Sequence, residues 1–489
     1  MLLQQNIAHS FQSPIVRVLL IVIGIGLLYV LWREVRKIPA KLLTLMATAF
    51  IDMVGLLMII PLLPFYVKTL GGSGVGFLGA HFGIGIITGF IIAAFTVAQL
   101  VSAPLWGRFS DRVGRRPTLL IALTASCIAY LIFGFAGSLF MLFLSRIVQG
   151  AGGGTVGVIQ AYVADSTAPQ DRARALGWLS ATTNLGVALG PVLGSFAIAI
   201  GKRDLMPGPG TLELGQAAPG IFAAALCLIN IAFASRYLTE SRDSSEHVPV
   251  EGEVRRSSRE AMWRVISHSK ETSSRLIWTY AIAIGAFQGS FSVLALFLNA
   301  RFQVTEQTIG YFFMYIGSIS VFTRVLLLGR MVDWLGEAKL SRVGLLLLGA
   351  GVLGMPLARN LWMLAIAVAL IPLGTAFTFP CVTALLSRVI SPRERGLYMG
   401  MQQTYGGVAR IVAPLFFGWS FDTLGVSSPY FFASAFIVAT LLLSPQVKLV
   451  AQQTATTTPQ PPETPQPVTS RSPQVNRLSS PYYADQERE

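Results

Sequence analysis

Two ionisable residues lie deep within long apolar stretches of the chain. Asp52 belongs to the stretch FIDMVGLLMIIPLLPFY, and Arg146 belongs to LSRIVQGAGGG. A carboxyl group held away from water favours its protonated form, so an acid at this position is suited to bind and release a proton. A nearby arginine favours the ionised form and is freed when the acid is neutralised. The two residues are therefore predicted to couple proton movement to another process.

Both residues also have a purely structural interpretation, which the sequence leaves open. Asp52 could hydrogen-bond the broken backbone of a neighbouring helix, and Arg146 could form an ion pair that joins two helices. The sequence does not identify the acid on which Arg146 would act.

Side chains that carry out enzymatic chemistry are sparse in this chain. The spacings of nucleophiles, metal ligands and phosphate-binding loops that active sites require are absent from the sequence. The cysteines lie in apolar stretches without metal or redox spacing, and they are predicted to be small core residues. The histidines and cysteines are scattered: His9, His81, His247, His268, Cys127, Cys227 and Cys381. We therefore expect neither an enzyme nor a bound metal or cofactor.

The apolar stretches that position these residues indicate a membrane protein. The chain has 489 residues, of which 53% are hydrophobic and 12% charged, whereas a typical soluble domain carries about 25% charged residues. A membrane-crossing helix needs roughly 20 mostly apolar residues, and such a stretch must be helical in lipid because its backbone groups have no water to bond. Twelve stretches after residue 40 qualify, and we number them spans 1 to 12: 41–65, 83–104, 118–136, 139–164, 175–199, 219–238, 276–298, 309–330, 341–358, 361–387, 397–420 and 429–447.

The basic residues predict how the spans are oriented. The net charge is +14, and Lys and Arg concentrate in the connecting segments on one side of the spans, which is typical of the cytoplasmic side. The other side holds only Lys68, Lys202, Arg203, Arg301 and Arg359. This distribution indicates a membrane rather than a nucleic acid as the partner, and it puts both ends of the twelve-span region in the cytoplasm.

Three segments flank or divide the spans. Residues 1–40 contain a further apolar stretch followed by basic residues, which predicts an extra transmembrane helix with its N-terminus outside; a start codon placed too early is the alternative. Residues 239–275 are polar and charge-mixed, as is typical of a cytoplasmic linker. Residues 448–489 are rich in Pro, Thr and Gln and predict a disordered cytoplasmic tail. The linker separates two six-span bundles, residues 41–238 and 276–447.

The two bundles resemble each other in sequence. The turn between the second and third spans of each bundle is GRFSDRVGRRP, from Gly107, or GRMVDWLGE, from Gly329. An offset of 222 residues aligns the two turns: Gly107 with Gly329, Arg108 with Arg330, Asp111 with Asp333 and Gly114 with Gly336. Further along the chain, an offset of 223 residues aligns Pro169 with Pro392, Asp171 with Glu394, Arg172 with Arg395, Gly177 with Gly400 and Pro191 with Pro414. The near-constant offset predicts an internal repeat.

Paired bundles that rock about a shared site are typical of secondary transporters. With the motifs above, residues 41–447 resemble the major facilitator superfamily, and within it the twelve-helix, tetracycline-efflux-like branch of drug:proton antiporters. The resemblance implies an all-α membrane protein of two pseudo-symmetric six-helix bundles, here with the extra N-terminal helix. It also implies a small-molecule substrate, protons as the coupling ion, no cofactor and a monomeric state.

The two repeated turns are similar to the signature that the superfamily carries between its second and third helices. By this resemblance, Asp111 would dock at the start of span 11 near Leu397 when the cytoplasmic side is closed, and Asp333 would dock on span 5 near Ala175. Topology is the alternative explanation, because basic loops also hold orientation. The residues of this predicted latch are Gly107, Arg108, Asp111, Arg112, Gly114, Arg115, Arg116, Gly329, Arg330, Asp333 and Gly336.

Three further patterns carry the resemblance. Asp52-x-x-Gly followed by Pro61 and Pro64 is similar to the first helix of these antiporters, and the prolines are predicted to bend that helix. Arg146-x-x-Gln-Gly matches a pattern that the superfamily uses in proton coupling. Span 5 carries a glycine-proline antiporter motif, with Ser195 where a second glycine often lies: Gly177, Gly186, Gly190, Pro191 and Gly194. Small residues at every fourth position would form one smooth face, on which span 5 slides against span 8.

Candidates for the substrate cavity are polar and aromatic residues in spans predicted to line the centre: Gln99, Gln149, Asn184, Phe287, Gln288, Phe291, Phe377, Phe379, Gln403, Tyr405 and Arg410. Aromatic and amide groups suit bulky, weakly specific ligands, although each of these residues could instead be a packing residue. Together with the resemblance, the candidates predict proton-driven export of small, largely lipophilic compounds through a bacterial inner membrane.

Two observations favour a different substrate. Tetracycline exporters have acids in their third and ninth helices, and spans 3 and 9 contain none. Arg146 and Arg410 lie near mid-membrane against the single acid Asp52, which would favour an anionic or neutral solute. The second hypothesis is therefore a proton-coupled carrier of such a metabolite, for export or uptake. A third hypothesis, of another class, is a non-transporting scaffold or sensor that interacts through the tail and the N-terminal helix.

Overall fold

The structure is a computed structural model that describes eight stretches of the chain: residues 40–72, 74–77, 80–153, 155–167, 171–201, 214–240, 258–391 and 394–443. The predicted N-terminal helix, residues 241–257 of the linker and the tail at 448–489 lie outside the described residues. The described residues before the linker are called the first half, and those after it the second half.

In the first half, helices occupy all six predicted spans. In chain order they are α1 (Ala40–Ile59) and α2 (Leu63–Gly71) in span 1, α3 (Ile84–Val113) in span 2, α4 (Arg115–Gly134) in span 3, α5 (Leu139–Ala151) and α6 (Thr155–Asp165) in span 4, α7 (Arg172–Gly201) in span 5, and α8 (Leu214–Tyr237) in span 6. Span 1 is broken between Ile59 and Leu63, and Pro61 lies in the break because it cannot donate an intrahelical hydrogen bond. Pro64 falls in the first turn of α2, where no such donor is needed.

The second half is helical in the same way. Its helices are α9 (Ser258–Ser267) at the end of the linker, α10 (Thr272–Ser292) and α11 (Leu294–Phe302) in span 7, α12 (Ile309–Phe322) in span 8, α13 (Leu328–Leu357) across the end of span 8 and span 9, α14 (Leu361–Val389) in span 10, α15 (Arg395–Leu424) in span 11, and α16 (Ser428–Leu443) in span 12. A single-turn π-helix, Thr323–Leu327, joins α12 to α13. The α10–α11 pair is bent by 49°.

The all-α prediction is correct for the fold class. The one departure among the described residues is a two-stranded antiparallel hairpin between spans 1 and 2, in which β1 (Val75–Phe77) pairs with β2 (Ala80–Phe82). Seven helices of the described chain are long and apolar enough to cross a membrane, and the bent α10–α11 pair adds an eighth. This count treats Ile309–Leu357 as one helix and leaves α5 and α16 as shorter apolar helices.

The packing of the helices repeats between the halves. Span 1 packs against span 5 as span 7 packs against span 11, and span 3 packs against span 6 as span 9 packs against span 12. The halves meet along two seams, where α3 contacts α15 and α7 contacts α12. Each seam therefore pairs the second span of one half with the fifth span of the other half.

The two basic turns are also built alike. Gly114 has φ 112° and Gly336 has φ 72°, a left-handed conformation that residues with a Cβ rarely adopt. These glycines stand 222 positions apart in the sequence. Both turns between the second and third spans therefore bend at an equivalent glycine. We call the end of the bundle that carries these turns the basic face, and the other end the opposite face.

Candidate functional site

A buried polar cluster in the first half surrounds Asp52 of α1. Asp52 is 8% exposed, so it does not face lipid. Tyr130 of α4 lies within electrostatic range of both Asp52 and Arg146, which form no ion pair with each other in the described part of the chain. A Cβ at Gly55, one turn after Asp52, would lie 3.0 Å from the Tyr130 hydroxyl oxygen. The Asp-x-x-Gly spacing therefore leaves room for a phenol ring one turn from the acid.

Arg146 of α5 is almost completely enclosed. Its guanidinium carbon lies 5.4 Å from the centre of the Phe133 ring, a distance typical of a cation–π contact, and Nε donates to Ser145 Oγ at 3.4 Å. Within the described residues, Arg146 Nη2, the Tyr130 hydroxyl and Gln149 Oε1 are buried without a well-formed hydrogen bond, and the Gln149 side chain lies within reach of the Tyr130 hydroxyl. Burying polar atoms without partners is costly, so three of them together in one cluster call for an explanation, and a functional role is one such explanation.

Two members of this cluster were not identified from the sequence. Tyr130 is one, and Asn230 of α8 is the other. Asn230 is fully buried, and its Nδ2 donates to the Thr48 carbonyl, one turn before Asp52, at 3.0 Å. The available signal was weak, since each is a single polar residue in an apolar span.

The Gln99 side chain of α3 hydrogen-bonds the backbone of span 4 and is therefore not a free cavity-lining group. Span 4 is interrupted between Ala151 and Thr155, which leaves carbonyl groups without helical partners. Gln99 Nε2 donates to the Gly153 carbonyl at 3.3 Å, and Ser102 Oγ donates to the Gly150 carbonyl at 3.2 Å. Side chains of span 2 thus supply hydrogen-bond donors to carbonyl groups at the break in the GAGGG sequence.

The glycine face of α7 packs differently from the prediction. A Cβ at Gly186 would lie 2.8 Å from Met53 Cβ, and one at Gly190 would lie 2.8 Å from the Val54 carbonyl. Gly194 likewise packs on α1, at Met58, whereas Gly177 meets no neighbouring atom within 4 Å. The expectation that this face slides against span 8 is therefore wrong, because the glycines bring span 5 against span 1 of the same half.

Span 5 does contact span 8, but through another face. Ser195 Oγ accepts a hydrogen bond from the Gly310 backbone N–H at 2.9 Å and donates to the Glu306 carbonyl at 2.9 Å. Further along the seam, a Cβ at Gly317 would lie 2.5 Å from Ala188 Cβ. The glycines of this seam belong to span 8, and the serine that replaces a glycine in span 5 caps the start of α12.

The other seam is closed at the same end. Asp422 of α15 accepts backbone hydrogen bonds from Gly85 at 2.9 Å and from Ile86 at 2.8 Å. A carboxylate at this position satisfies free N–H groups of α3 and complements the helix dipole. Because α3 and α12 both run from here towards the basic turns, both seams are capped at the opposite face.

The predicted latch at the basic face is not engaged between the halves. Asp111 pairs with Arg115 of its own half at 2.7 Å, and its side chain is 57% exposed. Glu240 accepts from the backbone N–H groups of Arg115 and Arg116 at 2.9 and 3.1 Å, and Asp333 is exposed. Docking of the two aspartates was predicted for the closed cytoplasmic side, and it stays a prediction. The other latch residues are exposed or meet no neighbour from the other half: Gly107, Arg108, Arg112, Gly329 and Arg330.

An ion pair at the basic face occurs twice, with its charges reversed. Arg115 Nε contacts Asp165 Oδ2 at 2.9 Å, and Glu337 Oε1 contacts Arg388 Nη2 at 2.7 Å. The sequence offsets of 222 and 223 make these positions equivalent in the repeat. Each pair ties the turn after the second span of its half to the end of the fourth.

Among the aromatic candidates, the structure brings three together. Phe287 and Phe291 of α10 lie 4.5 Å apart, and Phe379 of α14 lies 6.4 Å from Phe287, measured between ring centres. Tyr280 adjoins them, with its ring 5.5 Å from that of Phe379. Phe377 is not part of this group, because it faces the other side of α14 in a cluster with Leu340 and Cys381.

Arg410 of α15 reaches the same aromatic group. Its Nη2 lies 3.4 Å from the Tyr280 hydroxyl, and its Nε is buried without a hydrogen-bond partner in the described chain. The remaining candidates are dispersed: Gln288 and Gln403 are exposed, Asn184 donates to the Ser180 carbonyl at 2.6 Å, and Tyr405 donates to the Met262 carbonyl at 2.9 Å.

Sequence reasoning did not select Arg324, although it lies within span 8. It sits in the π-helix, and its Nε donates to Ser320 Oγ at 3.3 Å. Short π-helical turns within α-helices are frequent at functional sites. Gly310 and Gly317, two helical turns apart, face span 5, and Arg324 follows them where the helix changes to the wider π turn.

One cavity, of about 310 Å³, lies within the first half between spans 1, 4 and 5. Its lining is mixed polar and apolar: Ala49, Met53, Ile159, Gln160, Leu176, Leu179, Ser180 and Thr183. Met53 directly follows Asp52, and so the cavity reaches α1 beside the buried acid.

Known proteins are similar to this chain in sequence and in fold. The chain is 25% identical over 414 residues to multidrug resistance protein 1 of Bacillus subtilis (strain 168), covering 84% of this chain and 97% of the relative. It is 23% identical to the class B tetracycline resistance protein of Escherichia coli, covering 83% and 96%. The solved structure of the human organic anion transporter MFSD10 (TETRAN) aligns with a TM-score of 0.59 and 22% identity, over 83% of this chain and 98% of that one.

The family is fixed by a match to most of the sequence. The model of the Major Facilitator Superfamily matches residues 45–360 and 325–479. The two seams, the repeated packing and the repeated glycine turns agree with that match. The chain belongs to the Major Facilitator Superfamily of membrane transporters.

Proposed function

We propose that this transporter exports small lipophilic compounds in exchange for protons, by alternating access. The observation that carries the proposal is the buried cluster of Asp52, Tyr130 and Arg146, which comes from three different spans of the first half. Its proton-binding group is Asp52, and its fixed positive charge is Arg146.

The cluster suits a proton-coupled cycle. An ionisable acid within the membrane is costly and is retained for function, and an arginine near it favours release of the proton. Tyr130 stands in electrostatic range of both groups and links them without a direct ion pair. Protonation of Asp52 would remove a charge from the cluster and alter how α1 and α4 hold α5.

The two seams support alternating access. Both carry their capping hydrogen bonds at the opposite face, while Asp111 and Asp333 stay exposed at the basic face. We assign the basic face to the cytoplasm, since Lys and Arg concentrate there. The described arrangement then corresponds to a transporter closed to the outside, and the opposite arrangement would engage the aspartates of the basic turns.

The names of the relatives agree with export. Two of the proteins that this chain resembles over more than four-fifths of its length are named for multidrug and tetracycline resistance. We place the protein in a bacterial inner membrane as a monomer, with a proton gradient rather than a cofactor as its energy source.

Growth and transport assays test the proposal together. A host without its own exporters is grown on a panel of toxic compounds, with wild-type protein, Asp52→Asn or Asp52→Glu. Compounds tolerated only with the wild type are then assayed in everted vesicles, where an imposed acidic lumen should drive their accumulation. We expect Asp52→Asn to abolish this accumulation and Asp52→Glu to keep part of it.

Two results would reject proton-coupled export. One is accumulation that Asp52→Asn leaves unchanged. The other is accumulation that requires an alkaline lumen, which would indicate uptake by symport.

A second candidate, a carrier of anionic solutes, is favoured by the charges of the second half. Arg324 and Arg410 lie within spans, and within the described residues neither forms an ion pair with a carboxylate. Of the two, Arg410 lies beside the Tyr280–Phe379 aromatic pair, so that its positive charge adjoins an apolar surface.

A further inference from the structure

Arg410 lies where three helices from both halves meet. On α15, Gly406 packs against Tyr280 of α10. A Cβ added at the adjacent Gly407 would lie 3.4 Å from the Leu100 side chain of α3. Arg410 follows these glycines by one turn, so it points between α10 and α3. This direction leads towards the centre of the transporter and not towards lipid.

Among the described residues, the guanidinium of Arg410 lacks a counter-charge. Its polar contact there is with the neutral Tyr280 hydroxyl, at 3.4 Å from Nη2, and its Nε is buried without a partner. Arg410 is partly buried, and a cation that is partly removed from water without a counter-charge is stabilised when an anion pairs with its accessible donors. An arginine offers donors in a planar fork that fits a carboxylate or sulfonate in a bidentate way.

An aromatic surface continues from this cation. Tyr280 contacts Phe379 edge to face, Phe379 contacts Phe287, and Phe287 contacts Phe291. The three phenylalanines are only partly buried, so their rings retain accessible area beside the charge. Such a surface binds planar apolar bodies by offset or edge-to-face contacts.

We propose that Arg410, Tyr280 and Phe379 form a subsite for lipophilic organic anions, in which the acid group pairs with Arg410 and Tyr280 while the apolar body packs on Phe379 and Phe287. The inference rests on the proposed function, and it names the substrate class: aromatic or similarly apolar monoanions. The pairing supplies the counter-charge that Arg410 lacks among the described residues, through the terminal nitrogens of the guanidinium.

Binding of three probes with one ring system and different charge tests the subsite. The probes are 1-naphthoate, 1-naphthamide and 1-naphthylmethylammonium, added to the full chain in detergent and measured by calorimetry without a proton gradient. We expect wild-type protein to bind 1-naphthoate at least about tenfold more tightly than 1-naphthamide, and the cation least tightly. Arg410→Gln should remove the preference for the anion, so that 1-naphthoate binds no more tightly than 1-naphthamide.

Two matched variants separate local pairing from other effects. Tyr280→Phe should weaken anion binding by a few-fold, whereas Tyr315→Phe, whose hydroxyl bonds the Ala365 carbonyl elsewhere in this half, should not. Arg324→Gln removes another intramembrane charge and should change anion binding little. Wild-type protein without a preference for 1-naphthoate, a preference that persists in Arg410→Gln, or an equal loss in Arg324→Gln would each overturn the subsite.

This assay is independent of transport. If anion binding depends on Arg410 but Asp52→Asn leaves compound accumulation unchanged, then the subsite stands and proton-coupled export fails. If accumulation depends on Asp52 while Arg410→Gln binds 1-naphthoate as the wild type does, then export stands and the anion subsite fails.

Discussion

Asp52, Tyr130 and Arg146 come from three spans, and at the residue scale Tyr130 is the group that lies within electrostatic range of both charged residues. Asp52 and Arg146 are recognisable as single charges in apolar sequence. Tyr130 is recognisable only in the fold, where Gly55 makes room for its ring. Its hydroxyl is buried and makes no well-formed hydrogen bond in the described chain, although Gln149 lies within reach, so its contribution should be to function more than to stability.

Replacement of Tyr130 by phenylalanine tests this division. Tyr130→Phe keeps the packing and removes an unpaired buried hydroxyl, so the melting temperature should stay the same or rise. Proton-driven transport should fall by about tenfold if the hydroxyl contributes roughly 1.4 kcal/mol to the coupled step. Tyr430→Phe is the control, because Tyr430 is also buried with an unpaired hydroxyl but lies in the second half. Equal transport by both variants would contradict a coupling role for Tyr130.

At the scale of the helices, small residues and caps decide which faces meet. The glycines of α7 allow close packing on α1, while the glycines of α12 allow close packing on α7. At the opposite face, Asp422 and Ser195 cap α3 and α12, each from the other half. Close packing within a half holds its shape, and caps between the halves can be made and broken as the transporter changes state.

The glycine face makes a prediction about stability. A Cβ at Gly190 would lie 2.8 Å from the Val54 carbonyl and 2.9 Å from Leu57 Cβ, so Gly190→Val must force α7 away from α1. Overpacking of this kind typically costs about 1–3 kcal/mol. Thermal unfolding in detergent should show a clear drop in melting temperature. Gly177→Ala on the same helix is the control, because that position has open space; a comparable drop there would contradict the packing argument.

The cap formed by Asp422 makes a prediction about conformation. Asp422→Ala removes both acceptors from the start of α3, so the seam at the opposite face should open more often. Spin labels at Gly137→Cys and Arg359→Cys, on exposed loops of the first and second half, report the separation by pulsed electron resonance. We expect the distance distribution to shift towards longer values, as it should also for Ser195→Ala. An unchanged distribution in Asp422→Ala would mean that the cap does not hold the seam.

At the scale of the whole molecule, the two halves form equivalent contacts with different residues. The ion pair at the basic face is Arg115 with Asp165 in the first half and Glu337 with Arg388 in the second, at equivalent positions. The ion pair lies at the same place in both halves, but the acidic and the basic residue have exchanged positions. Pairs of this kind hold the basic turns against the fourth helix of each half, whichever charge stands on the turn.

A charge exchange tests that equivalence. Glu337→Arg alone puts two cations together and should reduce the amount of folded protein and its melting temperature. Adding Arg388→Asp restores an opposite-charge pair in the arrangement of the first half, and most of the loss should be recovered. The coupling between the two substitutions is read from the melting temperatures of both single variants and the double variant. Additive losses would show that the two positions do not act as a pair.

The sequence by itself determined the helical membrane architecture, the repeat and the deep charges, because apolar length, loop charge and motif spacing are local properties of the chain. The break of span 1 at Pro61 and the sharp turns at Gly114 and Gly336 followed for the same reason. Only the tertiary structure decided which helix faces meet: the glycines of span 5 against span 1, Phe379 but not Phe377 beside Tyr280, and Asp422 on the start of α3. These outcomes depend on helix rotation and on contacts between residues far apart in the chain, and single-sequence periodicity carries no information about either.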